Sequence, residues 1–283
     1  TYSRISRFGL VAYGSSFDCI GIFSKSVEDI ALVLEVIAGP DEFDSTVSQQ
    51  PVPGYSGELG QPKKFKIAYI RDTIESEALQ PEIKSSIQEA ITQLRSQDHT
   101  VEAIDFPLLG YILPTYYILA TAEASANLSR YDGVRYGYYS PETKGLDSLY
   151  KMTRSEGFGK EVQRRILLGT FVLSSSYYDA YYTKAQKVRR VIREKTKAVL
   201  TKYDFVLMPT APTTAFKLGE LTDNPLEMYL ADLFSVQANV AGVPAISFPY
   251  GKDKKGLPIG LQAIADDFEE SGLLQLTKVL AKE

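Results

Sequence analysis

The stretch FKIAYI, residues 65–70, opens the part of the chain that decides the fold class. This short run of β-favouring residues predicts a strand. After Pro81, apolar residues recur at helical spacing as far as Leu94, and a second strand is predicted around Val101 to Phe106. A strand, a helix and another strand in this order predict a βαβ unit with a parallel pair of strands.

The segments on either side extend this pattern. Ser26 is predicted to cap a helix with Asp29 as the reciprocal carboxylate, and Gly39 followed by Pro40 ends that helix. Residues 41–64 are rich in Asp, Ser, Gln, Pro and Gly and predict a long surface connection. Further along the chain, we predict strands at 204–208, 245–248 and 259–264, and helices at about 225–240 and from about 268.

The intervening region is mostly helical and rich in tyrosine. Predicted helices cover 114–129, about 159–172 and 176–202, and a loop rich in Gly and Tyr covers 131–139. The predicted fold class is α/β, with a mixed, largely parallel sheet covered by helices and a helical insertion at about 108–202. The first ten residues carry no start signal, which is typical of a fragment of a longer protein.

The composition excludes several classes of function. The net charge of −4 disfavours independent, non-specific nucleic-acid binding, and no stretch approaches the roughly 20 apolar residues of a membrane span. A single cysteine, Cys19, cannot form an internal disulfide, which fits either a reducing compartment or a protein that needs no disulfide, and the predicted location is cytoplasmic. One histidine and one cysteine cannot build the usual zinc site, so no metal site is predicted. His99 lies in a polar run and is predicted to be an exposed loop residue, which leaves catalysis by Ser-His-Asp or Cys-His without support.

Three groups of polar residues admit both a functional and a structural interpretation. The basic residues of the helix at 176–202 form either a nucleic-acid surface or a solvated helix face, and the acidic total favours the second. The tyrosine pairs at 177–178 and 181–182 stack on a ligand or pack in a core or against a subunit. Glu156 and Asp179 could act as an acid–base pair, although nothing in their spacing singles them out.

Arg165 and Asp232 indicate a more specific chemistry. Arg165 is predicted at the start of a helix, where the helix dipole disfavours a cation unless a partner needs it. Asp232 is predicted in the middle of a helix between apolar residues. A guanidinium grips a carboxylate and a carboxylate holds an ammonium, so together the two would fit the zwitterionic end of an amino acid. A salt bridge between the two side chains is the structural alternative.

Eight strings of residues carry a resemblance over nearly the whole chain: RFGLVAY at 7–13, SVED at 26–29, RSEGFG at 154–159, YYDAYY at 177–182, KAQKVR at 184–189, MPTAPT at 208–213, PLEMYLAD at 225–232 and NVAGVPAI at 239–246. On these strings the chain is identified as a member of the amidase-signature family. Within the family it most resembles the glutaminase subunits of tRNA-dependent amidotransferases. Ser3, Cys19 and Ile22 stand where the family usually has Gly, Gln and Pro.

The resemblance implies a mixed sheet covered by helices and a catalytic set of a serine nucleophile, a second serine in a cis peptide and a proton-relaying lysine. In the related subunits, the serine attacks the side-chain amide of glutamine, an acyl-enzyme forms, and ammonia passes through a channel to a partner subunit. The resemblance places all three catalytic residues before Thr1, which implies that residues 1–283 are the C-terminal part of a single domain whose N-terminal part is missing. No catalytic residue is therefore assigned in this chain, and we expect the chain alone to be inactive.

The resemblance also implies partners. These are glutamine, amidotransferase subunits B and C, and Glu-tRNA(Gln), which a partner subunit holds and amidates with ATP and Mg²⁺. No cofactor and no membrane are implied for this chain itself. Whether the product is Gln-tRNA(Gln) or, from Asp-tRNA(Asn), Asn-tRNA(Asn) stays open.

Three substrate-binding residues follow from the resemblance. It places Arg165 on the α-carboxylate of glutamine, Asp232 on its α-ammonium and Tyr116 as a further contact. Which of Arg164 and Arg165 faces the pocket stays open. Two other functions stay open as well: another amidase-signature hydrolase acting on a free amide, and a non-catalytic assembly module.

Overall fold

A computed structural model describes residues 1–61, 63–220, 228 and 230–282. It divides into two compact units: a sheet unit of residues 1–8, 19–113 and 191–283, and a helical unit of residues 9–18 and 114–190. The elements in chain order are α1 (Val27–Ile37), α2 (Tyr55–Glu58), β1 (Lys66–Ile70), α3 (Arg71–Glu75), α4 (Pro81–Ser96), β2 (Thr100–Ile104), α5 (Leu109–Leu128), α6 (Leu146–Gly157), α7 (Lys160–Val172), a π-helix (Asp179–Thr183), α8 (Lys184–Leu200), β3 (Phe205–Pro209), α9 (Val236–Ala241), β4 (Ala245–Lys252), β5 (Pro258–Ala265) and α10 (Glu270–Leu280).

The sheet unit is built on a five-stranded sheet with the strand order β2-β1-β3-β5-β4. β1 pairs in parallel with β2 and with β3, so that Ile67 lies between Val101 and Phe205. β5 pairs antiparallel with β3 and with β4. The predicted βαβ unit is confirmed, because α4 connects β1 to the parallel β2. The predicted mixed sheet is also confirmed. Among the described strands it is less parallel than predicted, because two strand pairings are parallel and two are antiparallel.

The core of the sheet unit forms where α4 and α10 pack against the strands. All residues of β3, the central strand, are buried. The five apolar residues of the helix after Pro81 that recur at helical spacing are buried too: Ile83, Ile87, Ala90, Ile91 and Leu94. The helical periodicity of the sequence therefore identifies the face of α4 that the core covers.

The predicted Ser26 cap of α1 is confirmed, but the reciprocal role predicted for Asp29 is wrong, because the backbone N–H of Ser26 bonds the Ser24 hydroxyl instead. The Ser26 hydroxyl accepts the backbone N–H of Asp29 at 3.2 Å, while the Asp29 carboxylate accepts the Ser24 hydroxyl at 3.3 Å. The connection at 41–64 differs from its prediction, because it contains α2 and buries Tyr55. The Tyr55 hydroxyl accepts a hydrogen bond from Arg4 Nε at 3.0 Å, which gives this buried phenol a polar partner.

Ser3, one of the three departures from the pattern of the family that the chain resembles, has an unusual backbone conformation. Its φ of +72° lies in the left-handed region, which glycine adopts without the steric cost that a Cβ atom brings. Glycine is the residue that the family usually has there. Ser3 therefore adopts a backbone conformation that carries a steric cost for a residue with a Cβ atom.

The helical unit contains one helix that the sequence did not predict, α6. Helix α5 begins earlier than predicted, at Leu109, and continues into the helical unit. Arg154 on α6 donates from Nη1 to the carbonyls of Leu128 and Tyr131 at 3.0 and 3.2 Å. These bonds satisfy carbonyl groups at the end of α5. The position of α6 thus depends on a contact between residues that are distant in the sequence.

Gly169 sets how closely α7 approaches α5. A Cβ atom at Gly169 would lie 2.0 Å from the backbone oxygen of Thr121 and 2.6 Å from Ser125 Cβ. Next to this contact, the hydroxyls of Ser125 and Thr170 share a hydrogen bond of 3.0 Å. Only a residue without a side chain permits the two helices to meet at this distance.

His99 lies between α4 and β2, in a loop as predicted, but the prediction that it is exposed is wrong. His99 is only 7% exposed, and its ring stacks on Phe65 with 5.5 Å between ring centroids. Its Nδ1 accepts the backbone N–H of Phe65 at 3.0 Å. A polar neighbourhood in the sequence did not reveal that this ring satisfies a buried donor at the start of β1. Burial lowers the pKa of His99, so the neutral ring is favoured.

None of the helices in the described ranges combines the length and apolar character needed to cross a membrane.

We expect the substitution Gly169→Ala to lower the free energy of unfolding by about 2 kcal/mol, the usual scale of overpacking a tight contact. Urea unfolding followed by circular dichroism measures this change. Gly110→Ala is the matched control, because Gly110 also lies in a helix but its Cβ would meet nothing within 4 Å. Equal stability of the two variants would contradict the close contact of α5 and α7.

We expect the free energy of unfolding to fall as the pH drops below 6.5 and through the lowered pKa of His99. In that range the unfolded state binds the proton more readily, and a proton on Nδ1 removes the acceptor for Phe65 N–H. Above pH 6.5 this contribution is fully present. Urea unfolding at several pH values should show a smaller loss in His99→Gln, which does not titrate. The same loss in both proteins would disprove the role of His99.

Candidate substrate-binding site

Arg165 lies in the second turn of α7 and has two partners in the helical unit. Its Nε donates to Glu161 Oε1 at 3.0 Å, and its Nη1 donates to the Tyr13 hydroxyl at 3.1 Å. Glu161 also pairs with Arg164 at 2.5 Å. The side chain of Arg165 is 28% exposed and that of Arg164 is 46% exposed, so Arg165 is the more enclosed of the two. Glu161, one helical turn earlier, offsets the positive charge near the helix N-terminus.

The guanidinium of Arg165 keeps donors for a ligand. Neither N–H group of Nη2 has a partner among the residues that the structure describes, and Nη1 keeps a second N–H. Burial lowers the pKa of Arg165, but the hydrogen bonds to Tyr13 and Glu161 raise it more, so the net pKa is raised and the group stays charged. A carboxylate is the natural ligand of such a cation, because charge-assisted hydrogen bonds are short and strong.

Residues 9–18, which we call the strap, bring Tyr13 to α7. Asn127 on α5 donates from Nδ2 to the Tyr13 carbonyl at 3.0 Å and to the Ser15 hydroxyl at 2.9 Å. The Asp18 carboxylate accepts the backbone N–H groups of Tyr13 and Gly14 at 2.9 and 3.0 Å. Hydrogen bonds at its N–H and at its carbonyl therefore fix the backbone of Tyr13.

Two oppositely charged side chains, Glu123 and Arg189, hold the strap at Ser16. The Glu123 carboxylate accepts the backbone N–H of Ser16 at 2.9 Å and its hydroxyl at 2.5 Å. Arg189 on α8 donates to the Ser16 hydroxyl at 2.5 Å and to its carbonyl at 2.9 Å. The same guanidinium lies over the Phe17 ring, 4.2 Å from its centroid. This end of the strap is thus tied to both α5 and α8.

Tyr116 contacts the strap as well. Its ring meets the Phe17 ring edge-on with 5.5 Å between centroids, and it packs against Tyr117 at 5.2 Å. Two of the three predicted substrate-binding residues, Tyr116 and Arg165, therefore contact one short segment, through Phe17 and Tyr13 respectively.

Asp232 belongs to the sheet unit, and it lies in a turn rather than in the middle of a helix. Its carbonyl accepts the backbone N–H of Ser235 at 3.2 Å and the Ser235 hydroxyl at 3.3 Å. Such local bonds from a serine side chain compete with regular helix, and α9 begins only at Val236. The helix predicted at about 225–240 is therefore wrong for residues 231–235, and residues 225–227 and 229 lie outside the described part. The combination of Arg165 and Asp232 in one clamp stays a prediction.

Three of the four paired tyrosines are exposed and Tyr182 is partly buried, so none of them is a core residue. Tyr177, Tyr178 and Tyr181 are 41%, 42% and 40% exposed. Tyr177 and Tyr181 pack against Phe171, with 4.4 and 5.8 Å between ring centroids. These rings shield one another at the surface of the helical unit.

The two other acidic candidates have local partners. Glu156 accepts the Tyr138 hydroxyl at 2.9 Å, and Asp179 accepts the Thr183 hydroxyl at 3.0 Å. The hydrogen bond to Glu156 raises the pKa of Tyr138. Each carboxylate thus accepts a hydrogen bond from a different segment of the helical unit, which favours a structural role for both.

Several basic residues of α8 stabilise the fold. Arg193 donates to the carbonyls of Ala241 and Gly242 at 2.5 and 3.4 Å, where α9 ends. Lys197 pairs with Asp266 and, at 2.6 Å, with Asp267. With Arg189 bound to the strap, these contacts favour the structural interpretation of the basic helix over a nucleic-acid surface.

Comparison with known proteins agrees with the fold and with the eight strings. The sequence pattern of the family described as Amidase matches residues 1–274. The chain belongs to the amidase family. Among its curated relatives in the amidase family, the chain is 49% identical to the A subunit of glutamyl-tRNA(Gln) amidotransferase from Koribacter versatilis, over 98% of the chain and 58% of the relative. It is 50% identical to the corresponding protein of Staphylococcus saprophyticus, over 98% of the chain and 57% of the relative.

Comparison with solved structures independently shows the amidase fold of the chain. The crystal structure of the A subunit of glutamyl-tRNA(Gln) amidotransferase from Thermotoga maritima has a TM-score of 0.77 and 39% sequence identity, and the match covers 97% of this chain and 55% of that one. The 6-aminohexanoate cyclic dimer hydrolase has a TM-score of 0.75 at 22% identity, covering 99% and 58%, and is similar in fold alone. The chain thus spans a little over half the length of these relatives.

Tyr13 and Glu161 were not predicted from the sequence as partners of Arg165. A local signal existed for Glu161, which precedes Arg165 by one helical turn. Tyr13 ends the string RFGLVAY, but it is 152 residues from Arg165 in the sequence, so only the folded chain shows the contact.

We expect Asn127→Ala to loosen the strap, because it removes the hydrogen bonds to Tyr13 and Ser15. Backbone amides of residues 9–18 should exchange with deuterium about 10-fold faster, which hydrogen-exchange mass spectrometry measures. Ser129→Ala is the matched control, since the Ser129 hydroxyl bonds only the nearby carbonyl of Ala126 among its described contacts. Unchanged exchange in Asn127→Ala would mean that Asn127 does not hold the strap.

Proposed function

We propose that this chain is the glutamine-binding part of a tRNA-dependent amidotransferase, in the role that the A subunit has in glutamyl-tRNA(Gln) amidotransferase. The observation that carries the proposal is Arg165, a charged, partly enclosed guanidinium with donors left for a ligand. Support also comes from identity near 50% to such subunits over 98% of the chain.

In this proposal each site residue binds one part of the amino acid. Arg165 holds the α-carboxylate of glutamine with charge-assisted hydrogen bonds, and Asp232 holds its α-ammonium. Tyr116 contributes a further contact beside the strap. Holding both charged ends orients the side-chain amide, and such orientation lowers the barrier to attack on it.

The bond-breaking groups of this proposal belong to the part of the relatives that this chain does not span. A serine there attacks the side-chain carbonyl carbon, ammonia leaves, and water releases glutamate from the acyl-enzyme. Ammonia then amidates Glu-tRNA(Gln) at a partner subunit, which uses ATP and Mg²⁺, in an assembly with subunits B and C. The chain by itself binds but does not hydrolyse glutamine, and a role in protein synthesis places it in the cytoplasm.

A different amidase acting on an uncharged amide is the competing function. The substrate of such an enzyme has no carboxylate that could pair with the Arg165 guanidinium. Steady-state kinetics of the full-length protein with glutamine and with a hydrophobic amide discriminate between the two. A clear preference for the hydrophobic amide would overturn our proposal.

We expect Arg165→Ala in the full-length protein to raise the KM for glutamine about 10- to 150-fold, because a hydrogen bond to a charged group contributes about 1.5–3 kcal/mol. Asp232→Asn should raise it in the same direction. The coupled release of ammonia and glutamate gives KM and kcat.

Arg164→Ala is the matched control for this experiment. Arg164 neighbours Arg165 and shares Glu161 with it, but its side chain is more exposed. Its KM should stay within about twofold of the wild type. An unchanged KM in Arg165→Ala, with folding intact by circular dichroism, would refute the assignment.

A further inference from the structure

We propose that Tyr13 is a positioning residue, whose hydroxyl holds the Arg165 guanidinium in the orientation that receives the substrate carboxylate. This inference rests on the proposed function. It assigns to the strap a part in substrate recognition, although Tyr13 lies far from Arg165 in the sequence.

The first argument is the geometry of the guanidinium. A long arginine side chain is flexible, so a single partner does not fix the plane of its head group. Here Nε bonds Glu161 and Nη1 bonds Tyr13, and these partners lie on different segments of the helical unit. Two bonds to different nitrogen atoms define the plane and direct Nη2, which has no partner among the described residues, toward a ligand.

The second argument is the difference in charge between the two partners. Glu161 already pairs with both Arg164 and Arg165 and supplies the compensating negative charge. A second carboxylate in place of Tyr13 would neutralise the cation and weaken its attraction for an incoming anion. A neutral hydroxyl accepts the N–H of Nη1 without cancelling that charge, so it orients the guanidinium and leaves its electrostatic attraction for the ligand.

The third argument is the rigidity of the support behind Tyr13. Its backbone N–H is held by Asp18 at 2.9 Å and its carbonyl by Asn127 at 3.0 Å. Three residues further on, Glu123 and Arg189 hold Ser16. The hydroxyl is therefore presented from a braced segment, as a preorganised binding site requires.

The test is Tyr13→Phe in the full-length protein, with glutaminase kinetics as the measurement. Removing one hydroxyl leaves the ring, and we expect the KM for glutamine to rise about 3- to 10-fold with kcat within about twofold. Tyr182→Phe is the matched control, because it also removes a hydroxyl that accepts a hydrogen bond in the helical unit, from Gln186 at 3.0 Å. Its KM should not change.

A double-mutant cycle with Arg165→Ala decides whether Tyr13 acts through Arg165. We expect Tyr13→Phe to add nothing to KM once Arg165 is Ala. An additional rise of the same size in that background would overturn the inference, as would an unchanged KM in Tyr13→Phe while Arg165→Ala raises it; in both cases the proposed function survives. If Arg165→Ala itself leaves KM unchanged, the proposed function fails and takes this inference with it.

Discussion

A guanidinium that is partly withdrawn from water must be surrounded by acceptors, and the helical unit is organised around this requirement at two places. Arg165 meets Glu161 and Tyr13, and Arg189 meets Ser16 and the ring of Phe17. Desolvating a cation is costly unless hydrogen bonds replace the lost water. Both arginines use the strap as a source of such acceptors, so the same bonds that stabilise the cations also fix the strap on the helices.

This arrangement separates two tasks that one residue would perform poorly. The charge balance of Arg165 comes from Glu161 on its own helix, whereas its direction comes from Tyr13 on another segment. A strongly paired cation is stable but has little attraction left for a ligand, and an unpaired one is costly to enclose. One carboxylate combined with one hydroxyl lies between these extremes. The site can therefore be enclosed before the ligand arrives and still bind an anion.

Regular elements were predictable because their signals are local. The burial of Ile83, Ile87 and Leu94 on α4 follows from helical spacing, and the cap at Ser26 follows from adjacent residues. Elements and environments that depend on distant partners were not predictable. α6 bonds the end of α5 through Arg154, and His99 is buried where its ring stacks on Phe65 and accepts the Phe65 backbone N–H. Neither contact leaves a periodic pattern in the sequence.

The sequence by itself determined the membership of the chain in the amidase family, the class of its sheet and the choice of Tyr116, Arg165 and Asp232 as candidates, because these depend on residue strings and local periodicity. The tertiary structure alone decided which partners surround Arg165, that Asp232 lies in a turn, and that Gly169 sets the spacing of α5 and α7. The physical reason is the same in each case. Hydrogen bonds and close packing act over a few ångströms, between residues that folding brings together from positions far apart in the chain.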